Sequence, residues 1–447
     1  MPIFRNFLIM KSLRSSTLIV TSAIVSMLLT TSCTSNNFQS STTTPPAGVN
    51  TEHMASAVPS PQASPLPITN VTPAPSQETD PIALQISEMT LKEKIGQMLL
   101  VGIDGTTLDD NAKKMIAKDK VGGIILYKDN IKDLNSLIDL INSMKKSNAA
   151  NSVPLFMSVD QEGGKVSRMP AEFASIPSNG AVGNKGDAAA AEMMGKLLGR
   201  EVLLAGFNMN FAPVLDINSN PNNPVIGDRS FGNTASKVID LGIAEMKGIA
   251  SEGIIPVVKH FPGHGDTSVD SHLELPVVKK SVDQLAKLEW LPFEAAIKEG
   301  TDAVMVAHIL YPKIDPVKPA SLSPIIIGEQ LRGDMGYQGL VITDDLTMGA
   351  IIKNYDLATA AVDTVNAGSD ILLIAHEYDN ERLVLNALLD NVKNGKLQES
   401  RIDESVYRIL ALKAKYRLTD EQIPVPDLTD LNEDIKSWRT LIGLSPQ

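Results

Sequence analysis

Cysteine is almost absent from this 447-residue chain, and aromatic residues are scarce. A single cysteine, Cys33, excludes an intrachain disulfide, so a hydrophobic core must stabilise the fold. Aromatic residues make up 4% of the chain, which argues against a binding surface of stacked rings. The formal net charge of -12 argues against a nucleic-acid partner, because phosphates require clustered Lys and Arg. We therefore expect a ligand held by hydrogen bonds and charges.

The first 80 residues have the composition of an export signal followed by a tether. Basic residues but no acidic ones occur in residues 1–16, and residues 18–29 are mostly apolar. This order is typical of a signal peptide, since the apolar run is too short to span a bilayer. We assign residues 1–32 to the signal and residues 33–80 to a disordered linker rich in Ser, Thr and Pro.

The position of Cys33, directly after three small residues, resembles the lipidation site of a bacterial lipoprotein. The sequence thus predicts an extracytoplasmic protein that a lipid on Cys33 anchors to the cell membrane. The alternative is an ordinary cleaved signal in which the cysteine is incidental.

From about residue 82 onward, short β-rich runs alternate with helical patterns. Eight runs are predicted strands: 98–103, 121–127, 154–160, 207–212, 255–259, 303–307, 340–343 and 371–375. Several are apolar at successive residues, as parallel strands covered on both faces are. The pattern predicts an α/β fold, a single (β/α)₈ TIM-type barrel over residues 81–420, followed by a C-terminal extension over 421–447. A doubly wound sheet is the alternative, because periodicity does not reveal closure.

Helix signals fill the intervals between these runs. Thr90 with Glu93, and Ser281 with Gln284, have the spacing of capping boxes. Asp187 and Thr234 are predicted to cap two longer helices.

Histidine and charged residues concentrate directly after the predicted strands. Five of the six histidines follow a strand, and the segment from Lys259 to His272 holds three of them. In a barrel, these positions share the rim at which active sites lie. A metal site and an acid/base site both use His with Asp. The first predicted strand ends without the His-x-His pair of metal-dependent barrel hydrolases, so we expect no metal or cofactor.

Four motifs on this rim together resemble those of glycoside hydrolase family 3, and most closely its β-N-acetylglucosaminidase branch. They are VDQEGGKVSR (159–168), GDRSFG (227–232), KHFPGHGDTSVDSH (259–272) and ITDDLTMGA (342–350). The resemblance covers roughly residues 82–417. The long histidine-containing motif is the most specific of the four.

The resemblance implies a role for each matching residue. Asp344 matches the nucleophile, His272 the general acid/base and Asp270 the carboxylate paired with it. Residues that match sugar contacts are Asp160, Arg168, Arg229, Lys259 and His260. The choice of Asp344 over the adjacent Asp345 rests on the family motif alone.

The resemblance implies a retaining exo-glycosidase, a β-N-acetylhexosaminidase, that forms a covalent glycosyl-aspartate. Its carbohydrate substrates would be N-acetylglucosamine-containing cell-wall muropeptides or chitooligosaccharides. Two alternatives are a sugar-binding lipoprotein without catalysis and a β-glucosidase of the same family. The residues after the last predicted helix, 405–415, are too few for the second domain of many family β-glucosidases, which favours the N-acetylglucosaminidase.

Overall fold

A computed structural model describes residues 80–445 of the chain. The predicted signal peptide, Cys33 and the linker up to residue 79 lie outside the described residues. The described part contains eight strands. They are β1 Leu99–Val101, β2 Gly123–Leu126, β3 Phe156–Val159, β4 Met209–Asn210, β5 Ile255–Phe261, β6 Ala303–Val306, β7 Leu340–Thr343 and β8 Leu372–Ile374. Each lies within or overlaps one of the predicted runs.

All adjacent strands are parallel and form one nearly closed barrel. The hydrogen-bonded order is β7-β6-β5-β4-β3-β2-β1-β8. A parallel bridge between Ile342 and Ile371 joins β7 to the residue before β8, so that the two ends of the sheet meet. The sequential order and this last bridge confirm the α/β barrel and exclude the doubly wound sheet, whose edge strands stay apart.

Fourteen α-helices occur in residues 80–445. They are α1 Pro81–Glu88, α2 Leu91–Gln97, α3 Asp110–Lys114, α4 Leu134–Asn148, α5 Asn179–Gly183, α6 Ala188–Leu204, α7 Ala235–Ser251, α8 Val282–Leu285, α9 Leu291–Lys298, α10 Gly349–Ile352, α11 Leu357–Ala367, α12 Tyr378–Lys393, α13 Glu399–Lys415 and α14 Thr429–Leu441. Two π-helical segments, Met115–Asp119 and Pro324–Asp334, and three 3₁₀ turns, Lys128–Asn130, Gly227–Arg229 and Ala320–Leu322, complete the regular structure described.

The capping residues explain where several helices begin. The Thr90 side chain accepts from the Glu93 N–H, and the Glu93 carboxylate accepts from the Thr90 N–H, so the predicted capping box starts α2. Asp187 accepts from two N–H groups at the start of α6, as predicted. Thr234 is the N-cap residue of α7, as predicted, but its side chain makes no capping hydrogen bond.

The core consists of the apolar strand residues packed against the surrounding helices. Every residue of the eight strands is buried. Burial of one such Val, Leu, Ile or Phe side chain stabilises the fold by about 1.5–3 kcal/mol. Because the interior is filled, polar side chains that follow the strands have only the barrel rim on which to project.

The segment after α13 packs along the outside of the barrel. The Asn142 side chain of α4 makes two hydrogen bonds to the backbone of Ile423, at 2.8 and 2.9 Å. Arg439 of α14 donates to the Ser175 carbonyl at 2.8 Å. Among residues 80–445, no helix is both long enough and apolar enough to cross a bilayer.

Candidate active site

A cavity of about 430 Å³ opens at the carboxyl ends of the barrel strands. The predicted site residues that line it are Asp160, Arg168, Arg229, Lys259, His260, His272 and Asp344. Asp270 lies behind His272 and contacts its ring. The cavity thus collects residues from the ends of β3, β5 and β7 and from the loops after β3, β4 and β5.

The floor of the cavity is a chain of alternating charges. The Lys259 Nζ lies 2.6 Å from an Asp160 oxygen and 2.7 Å from Glu162 Oε1. Arg229 binds Glu162 with two nitrogens, Nη2 at 2.7 Å and Nε at 2.8 Å. Since two cations share two carboxylates, the group is electrically balanced before any ligand binds.

Glu162 is the central anion of this group. Its side chain is 2% exposed, and burial opposes its ionisation. The Arg229 and Lys259 charges outweigh burial and hold the pKa of Glu162 well below its usual value. In return, Glu162 raises the pKa of the Arg229 guanidinium, although burial acts in the opposite direction. Glu162 is therefore an anion that holds Arg229 and Lys259 in place.

The loop after β5 is held by Asp216, a residue that the sequence did not single out. Asp216 Oδ2 lies 2.6 Å from His260 Nδ1, and its Oδ1 accepts from the His264 N–H at 2.6 Å. A Cβ on Gly265 would lie 1.7 Å from the Ile217 carbonyl oxygen, so only glycine allows this close approach of the two loops. The ring of His264 is buried against Thr267 and Ser271, and burial lowers the pKa of His264 to about 4.

His272 lies on the most exposed part of the same loop. Its Nδ1 is 2.8 Å from Asp270 Oδ1, and its side chain is 65% exposed. The backbone of α10 holds this loop, because the N–H groups of Gly349 and Ala350 donate to the His272 and Ser271 carbonyls. A Cβ on Gly349 would lie 2.6 Å from the His272 carbonyl oxygen. The segment that follows Asp344 therefore touches the loop that carries His272.

The two adjacent acids after β7 have different surroundings. Asp345 is 5% exposed, and its carboxylate accepts hydrogen bonds from Thr347 and from the Ala375 N–H. Burial raises the pKa of Asp345. Burial also acts on Asp344, but the imidazoles of His308 and His260 hold the pKa of Asp344 below its usual value. Both acids line the cavity, but Asp344 has the lowered pKa, whereas the Asp345 carboxylate is held by its protein neighbours.

Two further histidines lie beside these acids. His308 is fully buried between the Ser321 hydroxyl, at 2.7 Å, and the Asp345 carbonyl, at 2.9 Å. His376 stacks on Tyr127 with ring centroids 5.5 Å apart, and both rings line the cavity. Position after a strand indicated both histidines, whereas Tyr127 had no signal beyond its place at the end of a predicted strand.

Arg168 is placed by a buried amide. The Gln161 side chain accepts from the Arg168 N–H at 2.8 Å and donates to Glu201 of α6 at 2.7 Å. Burial raises the pKa of Glu201 to about 8. Within the described residues, the Arg168 Nε is buried and has no hydrogen-bond partner. In residues 80–445, no group of three or more His, Cys, Asp or Glu side chains is arranged to hold a metal ion.

The family model for the glycosyl hydrolase family 3 N-terminal domain matches residues 90–412. The chain belongs to glycosyl hydrolase family 3. This confirms the family that the four rim motifs indicated.

Proteins named β-hexosaminidase are among the relatives of this family 3 chain. One from Pseudoalteromonas piscicida, named β-hexosaminidase A, is 35% identical over 72% of this chain and 58% of its own length. Another, from Alkalilimnicola ehrlichii, is 36% identical over 65% of this chain and 84% of its own length. The chain therefore spans less than two thirds of the first relative and most of the second.

Solved structures give the same relationship. A family 3 β-N-acetylglucosaminidase from Paenibacillus sp. str. FPU-7 is 42% identical with a TM-score of 0.74, over 78% of this chain and 68% of that one. A β-N-acetylhexosaminidase from Beutenbergia cavernae is 27% identical with a TM-score of 0.68, over 73% of this chain and 99% of that one. Both of these structures carry names of the branch that the four motifs resemble.

Proposed function

We propose that this family 3 protein is a β-N-acetylhexosaminidase, a retaining exo-glycosidase that removes terminal N-acetylglucosamine. The observation that carries the proposal is the shared cavity of Asp344 and His272, with Asp270 behind the His272 ring. A nucleophile and a proton donor on one cavity are what glycosidic cleavage with retention requires.

The first step transfers the sugar to the enzyme. The Asp344 carboxylate attacks the anomeric carbon, and the bond from that carbon to the leaving oxygen breaks. The His272 ring, whose Nδ1 faces Asp270, donates the proton from its other nitrogen to the leaving oxygen. The lowered pKa of Asp344 supports this role, because a nucleophile must be ionised.

The second step returns the enzyme to its starting state. His272 removes a proton from a water molecule, whose oxygen attacks the anomeric carbon and displaces Asp344. Two inversions at one carbon give net retention of configuration. Asp270 orients the ring throughout, and its carboxylate stabilises the imidazolium that forms in this step.

The charged floor would hold the terminal sugar. We assign Asp160, Arg168, Arg229, Lys259 and His260 to hydrogen bonds with its hydroxyl and acetamido groups. Their mutual ion pairs fix these side chains before the ligand arrives, so less side-chain entropy is lost on binding. The unpartnered Arg168 Nε supports a contact with the ligand.

The proposal extends to the natural substrates of the protein and to its location. Muropeptides of the cell wall and chitooligosaccharides both end in N-acetylglucosamine, and either fits an exo-acting site. An extracytoplasmic protein anchored through Cys33 would meet such glycans outside the cytoplasm. The export-signal composition of residues 1–32 and the linker composition of residues 33–80 support this location.

The test measures p-nitrophenol release from the β-N-acetylglucosaminide and the β-glucoside, with excess EDTA present. We expect turnover of the acetamido sugar alone, and a first-formed sugar that NMR identifies as the β anomer. A preference for the glucoside would move the protein to the β-glucosidases, and an α anomer would contradict the covalent step. Binding of N-acetylglucosamine without turnover would leave a sugar-binding lipoprotein.

A further inference from the structure

Asp216 is a buried carboxylate at the centre of the site that the proposed mechanism does not use. It follows β4 and is fully buried, and its two oxygens contact the end of β5 and the loop after it. Oδ2 lies 2.6 Å from His260 Nδ1, and Oδ1 accepts from the His264 N–H at 2.6 Å. Asp216 therefore ties the β4 loop to two histidines at once.

The two neighbours of the His260 ring determine which of its nitrogens carries the hydrogen. Both Asp216 oxygens accept hydrogen bonds from backbone N–H groups, Oδ1 from His264 at 2.6 Å and Oδ2 from His260 at 3.3 Å. An ionised carboxylate offers only lone pairs, so His260 Nδ1 must carry a hydrogen. On the other side of the ring, Nε2 lies 3.4 Å from Arg229 Nη2, a nitrogen that only donates. A hydrogen on Nε2 would point at this guanidinium, so Nε2 presents a lone pair.

We infer that Asp216 is a positioning residue that holds His260 with its hydrogen on Nδ1, so that Nε2 accepts a hydrogen bond from the bound sugar. The ligand group is an N–H or O–H donor, such as the acetamido N–H. This role in binding rests on the proposed function, whereas the position of the hydrogen does not.

The contacts of His260 support a role toward a ligand. The His260 ring lines the cavity, and its long contact with Arg229 leaves the Nε2 lone pair weakly used. Arg229 already donates to both oxygens of Glu162, so a ligand donor can replace it at Nε2 at little cost. Asp216 itself does not line the cavity and acts only through the ring.

Asp216→Asn replaces one acceptor oxygen of the carboxylate by an NH₂ donor with little change in shape. The amide has one oxygen, and Asp216 uses two. If that oxygen keeps the His264 N–H, the amide NH₂ faces His260 Nδ1 and the ring hydrogen moves to Nε2. If the oxygen instead faces His260, the NH₂ opposes the His264 N–H and the loop must shift. The first arrangement removes the acceptor that the sugar needs, whereas the second keeps the lone pair on Nε2 but displaces the loop that carries His264.

NMR of the full chain labelled with ¹⁵N-histidine tests the hydrogen position directly, with His260→Gln identifying the signals. In the wild type, we expect His260 to carry its hydrogen on Nδ1. In Asp216→Asn, we expect either a hydrogen on Nε2 or a shifted loop. A wild-type His260 with its hydrogen on Nε2 overturns the inference, and this measurement does not require the variant to fold.

Binding and kinetics test the consequence for the sugar. For Asp216→Asn, we expect the Kd of N-acetylglucosamine and the KM of its p-nitrophenyl glycoside to rise about tenfold, with kcat within about threefold. Asp315→Asn is the matched control, because Asp315 is buried and caps the Val317 and Lys318 N–H groups away from the cavity. An unchanged Kd in folded Asp216→Asn, or an equal rise in Asp315→Asn, overturns the inference. A wild type that neither binds nor cleaves the sugar defeats the proposed function, and the hydrogen position then still decides the role of Asp216.

Discussion

Two lysines lie almost completely buried at opposite ends of the barrel, and their surroundings differ. Lys259, at the carboxyl end of β5, is 2% exposed and contacts the carboxylates of Asp160 and Glu162. Lys413, on α13, is 3% exposed and donates to the Gln97 side chain and the Gly122 carbonyl, both at 2.8 Å. Its ammonium also lies 4.5 Å from the centre of the Phe156 ring.

The different partners of the two lysines reflect the different role of each end of the barrel. At the cavity, two carboxylates compensate the charge of Lys259, so the charge is available to a ligand at little further cost. The hydrogen-bond partners of Lys413 are neutral, and burial lowers its pKa to about 7 although the charge of Asp420 acts in the opposite direction. It closes the amino end of the barrel by linking α13 to the residues before β1 and β2.

A second buried group at the amino end is also closed to ligands. Asp370, which precedes β8, is fully buried and contacts the guanidinium groups of Arg332, Arg401 and Arg408. It also accepts from the Val341 N–H and the Ser405 hydroxyl. One carboxylate thus joins the π-helical segment Pro324–Asp334 to α13, and its contacts serve the structure rather than a ligand.

Asp344→Asn should have the largest effect at the carboxyl end. The amide is isosteric but not nucleophilic, so we expect kcat for the p-nitrophenyl N-acetylglucosaminide to fall by about 10³-fold or more. The free energy of unfolding should stay within about 1 kcal/mol, because Asp344 holds no helix or strand in place. Urea unfolding and steady-state kinetics measure both. Residual activity above one tenth would assign the nucleophile elsewhere.

Asp370→Asn should have the largest effect at the amino end, and on stability alone. Loss of the carboxylate leaves three mostly buried arginines without their common anion, so we expect the free energy of unfolding to fall by about 3–5 kcal/mol. The kcat of the folded fraction should remain within about twofold of wild type. If kcat falls together with stability, the two ends are coupled and the comparison fails.

Lys259→Met sharpens the comparison at the cavity. Methionine fills the same space but leaves Asp160 without its cation, so the floor of the cavity carries excess negative charge. We expect kcat/KM to fall by about 10²-fold. Lys413→Met is the matched change at the other end and should leave kcat/KM within about twofold. Equal losses in the two variants would show that burial, rather than position, determines the effect.

Lys413 also predicts a dependence of stability on pH. The pKa of about 7 in the folded state lies below the value of about 10.4 in the unfolded chain, so the unfolded state binds the extra proton between these values. Stability from this group is therefore present above pH 10 and is lost as pH falls to 7. Relative to Lys413→Met, the wild type should gain about 2 kcal/mol between pH 7 and pH 9. Parallel stability curves for the two proteins would contradict the low pKa.

Short-range patterns in the sequence predicted the positions of most elements of the barrel. All eight strands occupy predicted positions, because a parallel strand covered on both faces is apolar at successive residues whatever surrounds it. Helices α4, α12 and α14 had no prediction, and the β4 strand is shorter than its apolar run. Pairing with neighbouring strands sets such lengths, and the local sequence does not contain that information.

The site was predicted in part for the same reason. Position after a strand indicated His260, His272 and Asp344, since the ends of parallel strands converge on one rim. Asp216 follows β4 by six residues and contacts residues 44 and 48 positions later in the chain. No rule of sequence spacing predicts contacts between residues so far apart in the chain, so only the tertiary structure shows them.

By itself, the sequence determined the eight strands, the family motifs and the residues that follow each strand, because each depends on composition and order along a short stretch of chain. The tertiary structure alone decided which charges touch. Lys259 and Glu162 are far apart in sequence, yet Lys259 pairs with Asp160 and Glu162, and Glu162 pairs also with Arg229, in one balanced group. Closure of the barrel brings the β3, β4 and β5 loops within hydrogen-bond distance of one another. Charged side chains form ion pairs only at such short distances, which the sequence does not show.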